Sequence, residues 1–453
     1  MEFARIEKEV FNMMCNVARQ VTVDILSEMD RHILAQRDKK QFRSKGKRKS
    51  CVKTIYGDIE YKREMYIDNS GKARYLLDEV LELKKNGLYS SNYMEKIVKA
   101  ATEESYRKAS EQLNTTTGNV ISHTAVWKII NNIGDKICSY ENVKAVEGYS
   151  SEKKDVKVLF EEMDGVWLPI QGRFHEKCKK QELKVATIYE GWDADAGKRL
   201  VGKKVVAGLE PANTFIKKKD NAINRAYNID EIEYRILNGD GGNWIKDDAE
   251  GTIFQLDRFH VLKEIRTKIK DKRAAKEIER LYKQSKPQEM LDYIDTYANS
   301  IETDDESDTG AENARKLYAY LNNNITGLIP YKERVELPEP PEGIIYKSMG
   351  VQENQNCTLI TLRMKHGRMR WSVNGANSMA KVLAFKENGE LGNFINDKAT
   401  PESKDIINDV LSAAKIPERI GKANFYPEII NKTMPLFHNS ITNSLKALKT
   451  YVG

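Results

Sequence analysis

The sequence predicts a multidomain protein whose α/β core is built on a mixed five-stranded sheet and flanked by helical regions. Three observations lead there. The chain has 453 residues, about three domains' worth at roughly 150 residues each. Between Val156 and Leu256, β-rich runs first follow one another and then alternate with helical patterns, the order that packs helices against a mixed sheet. On either side, apolar residues recur every three or four positions, the period of helices buried along one face.

Composition narrows the function classes without choosing one. The 74 Lys+Arg and 67 Asp+Glu leave a net charge of +7, which fits a polyanionic partner but does not demand one. No apolar run approaches the ~18 residues of a membrane span. The start, Met1-Glu2-Phe3-Ala4-Arg5, has no basic stretch followed by an apolar one, so a cytoplasmic protein is expected. The cysteines Cys15, Cys51, Cys138, Cys178 and Cys357 are odd in number, far apart and without a Cys-x-x-Cys pair. That pattern argues against a disulfide framework or a structural zinc site.

Along the chain, Phe3 to Ile33 reads as one amphipathic helix, either packed on another element or used for self-association. Arg37 to Lys53 follows as a basic loop; its cations, among them Arg43, Lys45, Lys47, Arg48 and Lys49, suit phosphate contact through counterion release. Thr54 to Asp68 reads as a hairpin turning at Gly57-Asp58. Ser105–Leu113 and Ser122–Ile130 read as two helices around a polar turn, the second capped by Ser122, and look like a helix-turn-helix.

Val156 to Met163 reads as the first core strand, Asp164-Gly165 as a two-residue turn, and Val166 to Gln171 as the returning strand. Lys184–Trp192, Tyr234–Leu237 and Thr252–Leu256 complete five strands, with helices at Thr214–Tyr227, Asn243–Ala249 and from Phe259 onward. Arg266 to Leu328 is helical and charged, broken by the acidic patch Glu302–Asp308. Leu337-Pro-Glu-Pro-Pro-Glu-Gly343 is a stiff linker.

Asp164 and Asp240 are the informative acids. Each stands at a strand end, and if the first and fourth strands are neighbours both carboxylates project side by side, as hard divalent cations require. Taken singly, Asp-Gly and Gly-Asp-Gly are also ordinary turns.

Four ordered blocks carry a family resemblance: Glu162-Met-Asp164-Gly-Val-Trp-Leu; Asn238-Gly-Asp240-Gly-Gly-Asn-Trp-Ile-Lys246; Asp257-Arg-Phe-His260; and Met349-Gly-Val-Gln-Glu353-Asn, followed by Arg363-Met-Lys-His-Gly-Arg-Met-Arg-Trp371. Together they resemble the Lre-type bacterial insertion-sequence transposases, formerly grouped as an uncharacterised protein family and related to Mutator-like DDE enzymes. The resemblance implies a ribonuclease-H-like core interrupted by an all-helical insertion. Its acidic triad would be Asp164, Asp240 and Glu353, holding two Mg²⁺ ions, with Mn²⁺ able to substitute, and His260 would support the site. At the third carboxylate this chain departs from the family pattern, because Gln352 replaces an apolar residue.

Arg363, Lys365, Arg368 and Arg370 around Trp371 also suit DNA, with cations beside an aromatic that can stack on an unpaired base. The expected organisation is a DNA-binding region at 1–150, the first part of the core at 151–265, the helical insertion and linker at 266–343, and the end of the core with a basic helical tail at 344–453. The function implied is Mg²⁺-dependent cleavage at element ends and strand transfer into target DNA. Its partners would be terminal inverted repeats, target DNA and a second copy of the chain, in a nucleoid-associated setting. A catalytically silent DNA-binding regulator and a metal-dependent nuclease without strand transfer are the alternatives.

Overall fold

In the computed structural model the described residues are 2–81, 83, 89–142, 153–172, 179–246, 251–302 and 309–395. Cys178, most of the acidic patch, the end of the helix expected to reach Ala249 and the basic tail after 395 lie outside them. The chain divides into two compact units, Met1–Ile129 with Gly392–Gly453, and Ile130–Leu391.

The first unit opens with helix α1 (Glu2–Gln36) and the antiparallel hairpin β1 (Arg43–Thr54) and β2 (Gly57–Ile67), extended by the short β3 (Ala73–Arg74). Leu26, Met29 and Ile33 of α1 form a core with Val52, Ile59, Tyr61 and Leu77. Helices α2 (Leu76–Val80), α3 (Ser91–Glu103) and α4 (Tyr106–Thr116) follow, then α5 (His123–Asn142), within which the two units divide. Ser90 and Ser105 cap α3 and α4, and the Ser122 hydroxyl accepts the Ala125 N–H at 3.2 Å, as expected of a capping residue.

Two expectations are corrected here. The basic segment is mostly a strand rather than a loop, because β1 pairs with β2 from Arg43↔Ile67 to Thr54↔Gly57. The hairpin therefore turns at Ile55-Tyr56, with Gly57 at φ +127° on its far side.

The second unit carries β4 (Val158–Ile170), β5 (Lys179–Tyr189), β6 (Gly191–Asp193), β7 (Leu200–Val201), β8 (Lys204–Gly208), α6 (Ala212–Ala226), β9 (Tyr234–Gly239), α7 (Asn243–Lys246) and β10 (Ile253–Leu256). The mixed five-stranded sheet has the order β10-β9-β4-β5-β8, with β4, β9 and β10 parallel and β5 antiparallel to both its neighbours. Alternation along β4 sends Leu159 and Met163 to one face, where Phe215 and Ile223 of α6 pack. It sends Val158 and Phe160 to the other, with Tyr189, Trp192, Ile236 and Met349.

Asp164-Gly165 is not a turn. β4 runs straight through it, paired as Asp164↔Val185 and Gly165↔Lys184, so the two strands read there are one. A Cβ at Gly165 would meet only the Glu182 side chain, which would have to swing aside. The remaining antiparallel strand is β8, unread in the sequence. Its edge is covered by Asn388, which accepts the Val205 N–H at 2.7 Å and donates to the Val205 carbonyl at 2.9 Å.

Helices α8 (Arg258–Lys268), α9 (Lys272–Lys283), α10 (Pro287–Ser300) and α11 (Gly310–Asn322) close around Ile278, Leu281, Met290, Ile294, Leu317 and Leu321. The short α12 (Tyr331–Arg334) and β11 (Ile344–Ile345) lead to α13 (Gln352–Gln355), which continues through a π-helical stretch, Asn356–Thr361, into α14 (Leu362–Met364). After α15 (Val373–Glu387) comes α16 (Gly392–Ile395), in the first unit. No described helix is long and apolar enough to cross a membrane.

Candidate active site

Two neighbouring parallel strands set the site. β4 and β9 pair as far as Met163↔Gly239, and the next residue is an aspartate in both cases, Asp164 within β4 and Asp240 just beyond the end of β9. Asp240 sits in a tight turn, its Oδ1 accepting the Gly242 N–H at 2.8 Å, with Gly241 at φ +80°. The strands therefore bring together the two acids the sequence singled out.

His260 reaches the same place from the first turn of α8. Asp257 caps that helix, its Oδ1 taking the His260 N–H at 3.1 Å and lying 3.2 Å from His260 Nδ1, while its Oδ2 accepts Asn238 Nδ2 at 2.9 Å. Ligand atoms of Asp164, Asp240 and His260 all lie within 4.8 Å of one another. Met163, Asp164, Asn238, Asp257, His260, Gln352 and Glu353 line one pocket. Glu353 thus faces the site from α13, although its carboxylate is not part of that closest grouping.

The electrostatics are those of crowded acids. Burial, together with the charges of Asp240 and Glu353, pushes the Asp164 carboxyl up to about 6, against the opposing pull of His260 and the Gly165 N–H. Burial pulls the His260 imidazolium down. The Asp257 hydrogen bond and the charges of Asp164, Asp257 and Asp240 outweigh it and hold its pKa above the usual 6.5. Asp257 is held below the usual carboxylate range, its bonds with His260 and Asn238 overcoming its burial.

Sequence reasoning missed the supporting side chains. Asn356 donates to Asp164 Oδ2 at 2.6 Å and accepts Gln352 Nε2 at 2.9 Å. Gln352, the departure from an apolar residue, is buried and also reaches the Val185 carbonyl at 3.4 Å. Glu162, fully buried two residues before Asp164, accepts Tyr189 Oη at 2.6 Å and Asn238 Nδ2 at 3.0 Å. Spacing was the available signal: i and i+2 share a strand face, and i and i+3 a helix face.

The cations divide. Arg43, Lys45, Lys47, Arg48 and Lys49 are exposed along β1, with Lys47 Nζ 3.9 Å from Asp30. Lys365, Arg368 and Arg370 are exposed. Arg363 and Trp371 are not, which corrects their assignment to a DNA surface. Trp371 is buried, donates its indole N–H to the Met364 carbonyl at 2.9 Å and bridges to Ile170, while the buried Arg363 guanidinium lies 5.3 Å from its ring centre. The aromatic face expected to take a base is taken by the chain itself.

A family model described as "Uncharacterised protein family (UPF0236)" matches residues 1–395. Among curated relatives, one UPF0236 protein of Caldanaerobacter subterraneus subsp. tengcongensis is 26% identical over 374 residues, covering 81% of this chain and 73% of its own. Another from that organism, whose name joins eleven locus designations, is 27% identical over 382 residues, covering 82% and 75%. A UPF0236 protein described as lying in the vanSb 3′ region of Streptococcus gallolyticus is 25% identical over 397 residues, covering 85% and 83%.

Proposed function

The chain belongs to the uncharacterised family UPF0236, and we propose that it is a DDE-type transposase, a metal-dependent DNA phosphoryl transferase with a ribonuclease-H-like core interrupted by the helices α8–α11. The observation that carries this reading is that Asp164 and Asp240 stand where two paired parallel strands part, with their ligand atoms grouped with that of His260, while Glu353 lines one pocket with Asp164 and His260. The relative whose name joins eleven locus designations adds support, since many copies in one organism are what a self-propagating element produces.

The donor set fits Mg²⁺. Its carboxylate oxygens are hard ligands, and Asp164, pushed up chiefly by burial and further by the charges of Asp240 and Glu353, is a carboxylate whose ionised form a divalent cation would stabilise. Asp164, Asp240 and Glu353 would hold the metal, which when bound neutralises charge on the attacking and leaving oxygens of an in-line displacement. Asn356 and the Gly165 N–H fix the two Asp164 oxygens in orientation. Asp257 occupies His260 Nδ1, leaving Nε2 as the nitrogen that can hold a proton near a phosphate oxygen, and the raised His260 pKa favours its cationic form. The exposed cations of β1 would contact DNA phosphates.

The test is cleavage of DNA carrying the element ends. Asp164→Asn and Asp240→Asn should abolish Mg²⁺-dependent nicking while end binding persists. Wild-type rates in both variants would refute the assignment.

A further inference from the structure

We propose that Glu162 is a positioning residue that clamps the backbone before Glu353 to the central strand and so sets Glu353 against Asp164 and Asp240. This inference rests on the metal-dependent reading of the site.

Glu162 and Asp164 lie on the same face of β4. The Glu162 carboxylate accepts the N–H groups of Gly350 at 3.0 Å, Val351 at 3.0 Å and Gln352 at 3.2 Å, along with the Tyr189 hydroxyl and the Asn238 amide. Three consecutive backbone donors thus converge on one side chain almost two hundred residues away in sequence. Gly350 makes the convergence possible with φ +128°, a conformation closed to most side chains.

The neighbouring Glu161 provides the contrast. It points to the opposite face and is matched by two cations, Lys219 and Arg235. Among the described residues no salt bridge is formed by Glu162, so its acceptor capacity is met by neutral donors. Those donors are the Tyr189 hydroxyl, the residues immediately before Glu353 and the amide of Asn238, which also holds Asp257 and, through it, His260. One buried side chain therefore ties the Glu353 segment and the His260 dyad to the strand that carries Asp164. A residue that orients ligand-bearing segments in this way typically changes metal affinity or activity by about 10- to 100-fold when replaced.

Glu162→Gln keeps the shape but turns an amide NH₂ toward groups that are themselves donors, so the clamp should open. The experiment uses the purified full-length chain and two readouts besides activity. Hydrogen exchange at the Val351 and Gln352 amides reports the clamp, and Mn²⁺ titration by calorimetry or electron paramagnetic resonance reports the site. Glu162→Gln should exchange faster at those amides and bind Mn²⁺ roughly 10-fold or more weakly, with unchanged circular dichroism. Tyr189→Phe, which removes one neutral donor, should show a smaller loss of the same kind and serves if Glu162→Gln does not fold.

Unchanged exchange overturns the clamp. Faster exchange with wild-type Mn²⁺ affinity overturns the positioning role and leaves a purely structural one. If wild type binds no Mn²⁺, or Asp164→Asn binds it equally well, the metal-dependent reading fails and the positioning role falls with it. The exchange data then still report the clamp separately.

Discussion

Asp164→Asn should make the metal-free protein more stable while destroying the site. Asp164 is 8% exposed, and its carboxyl is pushed from 3.8 to about 6, chiefly by burial. At about 1.4 kcal/mol per pH unit, keeping it ionised at pH 7 costs about 3 kcal/mol relative to the unfolded chain. The isosteric amide removes that cost. It also places an NH₂ where Oδ2 accepts Asn356, a loss of about 1 kcal/mol. The net gain is about 2 kcal/mol at pH 7, or roughly 4–8 °C in Tm for a unit of this size.

The sign with pH follows from the raised pKa. The stability tied to protonated Asp164 is fully present below pH 3.8 and is lost as pH rises through about 6. The advantage of the variant should therefore be near zero at pH 4, grow between pH 4 and 6, and level off above. Urea or thermal unfolding in EDTA across that range measures it. Saturating Mg²⁺ should reverse the ranking, because only the wild type gains binding free energy. A variant no more stable than wild type at pH 7 in EDTA, or an advantage independent of pH, would refute the reasoning.

Replacing Lys47, Arg48 and Lys49 together by alanine should leave folding intact and weaken DNA binding across all sequences. The slope of log affinity against log salt should fall by up to about 3 units, measured by fluorescence anisotropy at several salt concentrations. Trp371→Ala should behave as a core deletion, costing about 3–5 kcal/mol in urea unfolding, with no DNA-specific effect once folded protein is compared at equal concentration. Asp257→Asn should lower the His260 pKa by removing its charged partner, read by NMR titration of the imidazole, and should move the pH dependence of cleavage with it.

Much of the site was legible because its two aspartates stand where the parallel pairing of β4 and β9 ends. Asp164 and Asp240 were found from β-rich runs ending in acids, and the requirement that their strands be neighbours is met by β4 and β9. Glu353 came only from the resemblance, since one exposed glutamate on a short helix carries no local signature. The misreadings share a cause, in that local chemistry was overruled by distant pairing. Asp164-Gly165 has the residues of a turn, yet β5 pairs along both sides of it and keeps it extended.

Arg43 to Lys49 looked like a solvated loop because almost nothing apolar interrupts the cations. The backbone is nonetheless held by β2, whose alternate residues are buried. β8 has only five residues, too few to carry a strand pattern of its own. Arg363 and Trp371 have the composition of a base-stacking surface, but they stack on each other inside the fold. For Glu162 the spacing to Asp164 places it on the same strand face, but its role rests on donors far along the chain, from Tyr189 and Asn238 to the Gly350 N–H 188 residues away.

The central claim is that this pocket joins DNA as well as cutting it. The most direct measurement is strand transfer by the purified chain, given an element end with a preformed 3′-hydroxyl, a target plasmid and Mg²⁺. Covalent joining of that end to the target, lost in Asp164→Asn and Asp240→Asn, is the result the account predicts. Metal-dependent hydrolysis of the same DNA with no joined product, or no reaction at all, would contradict it.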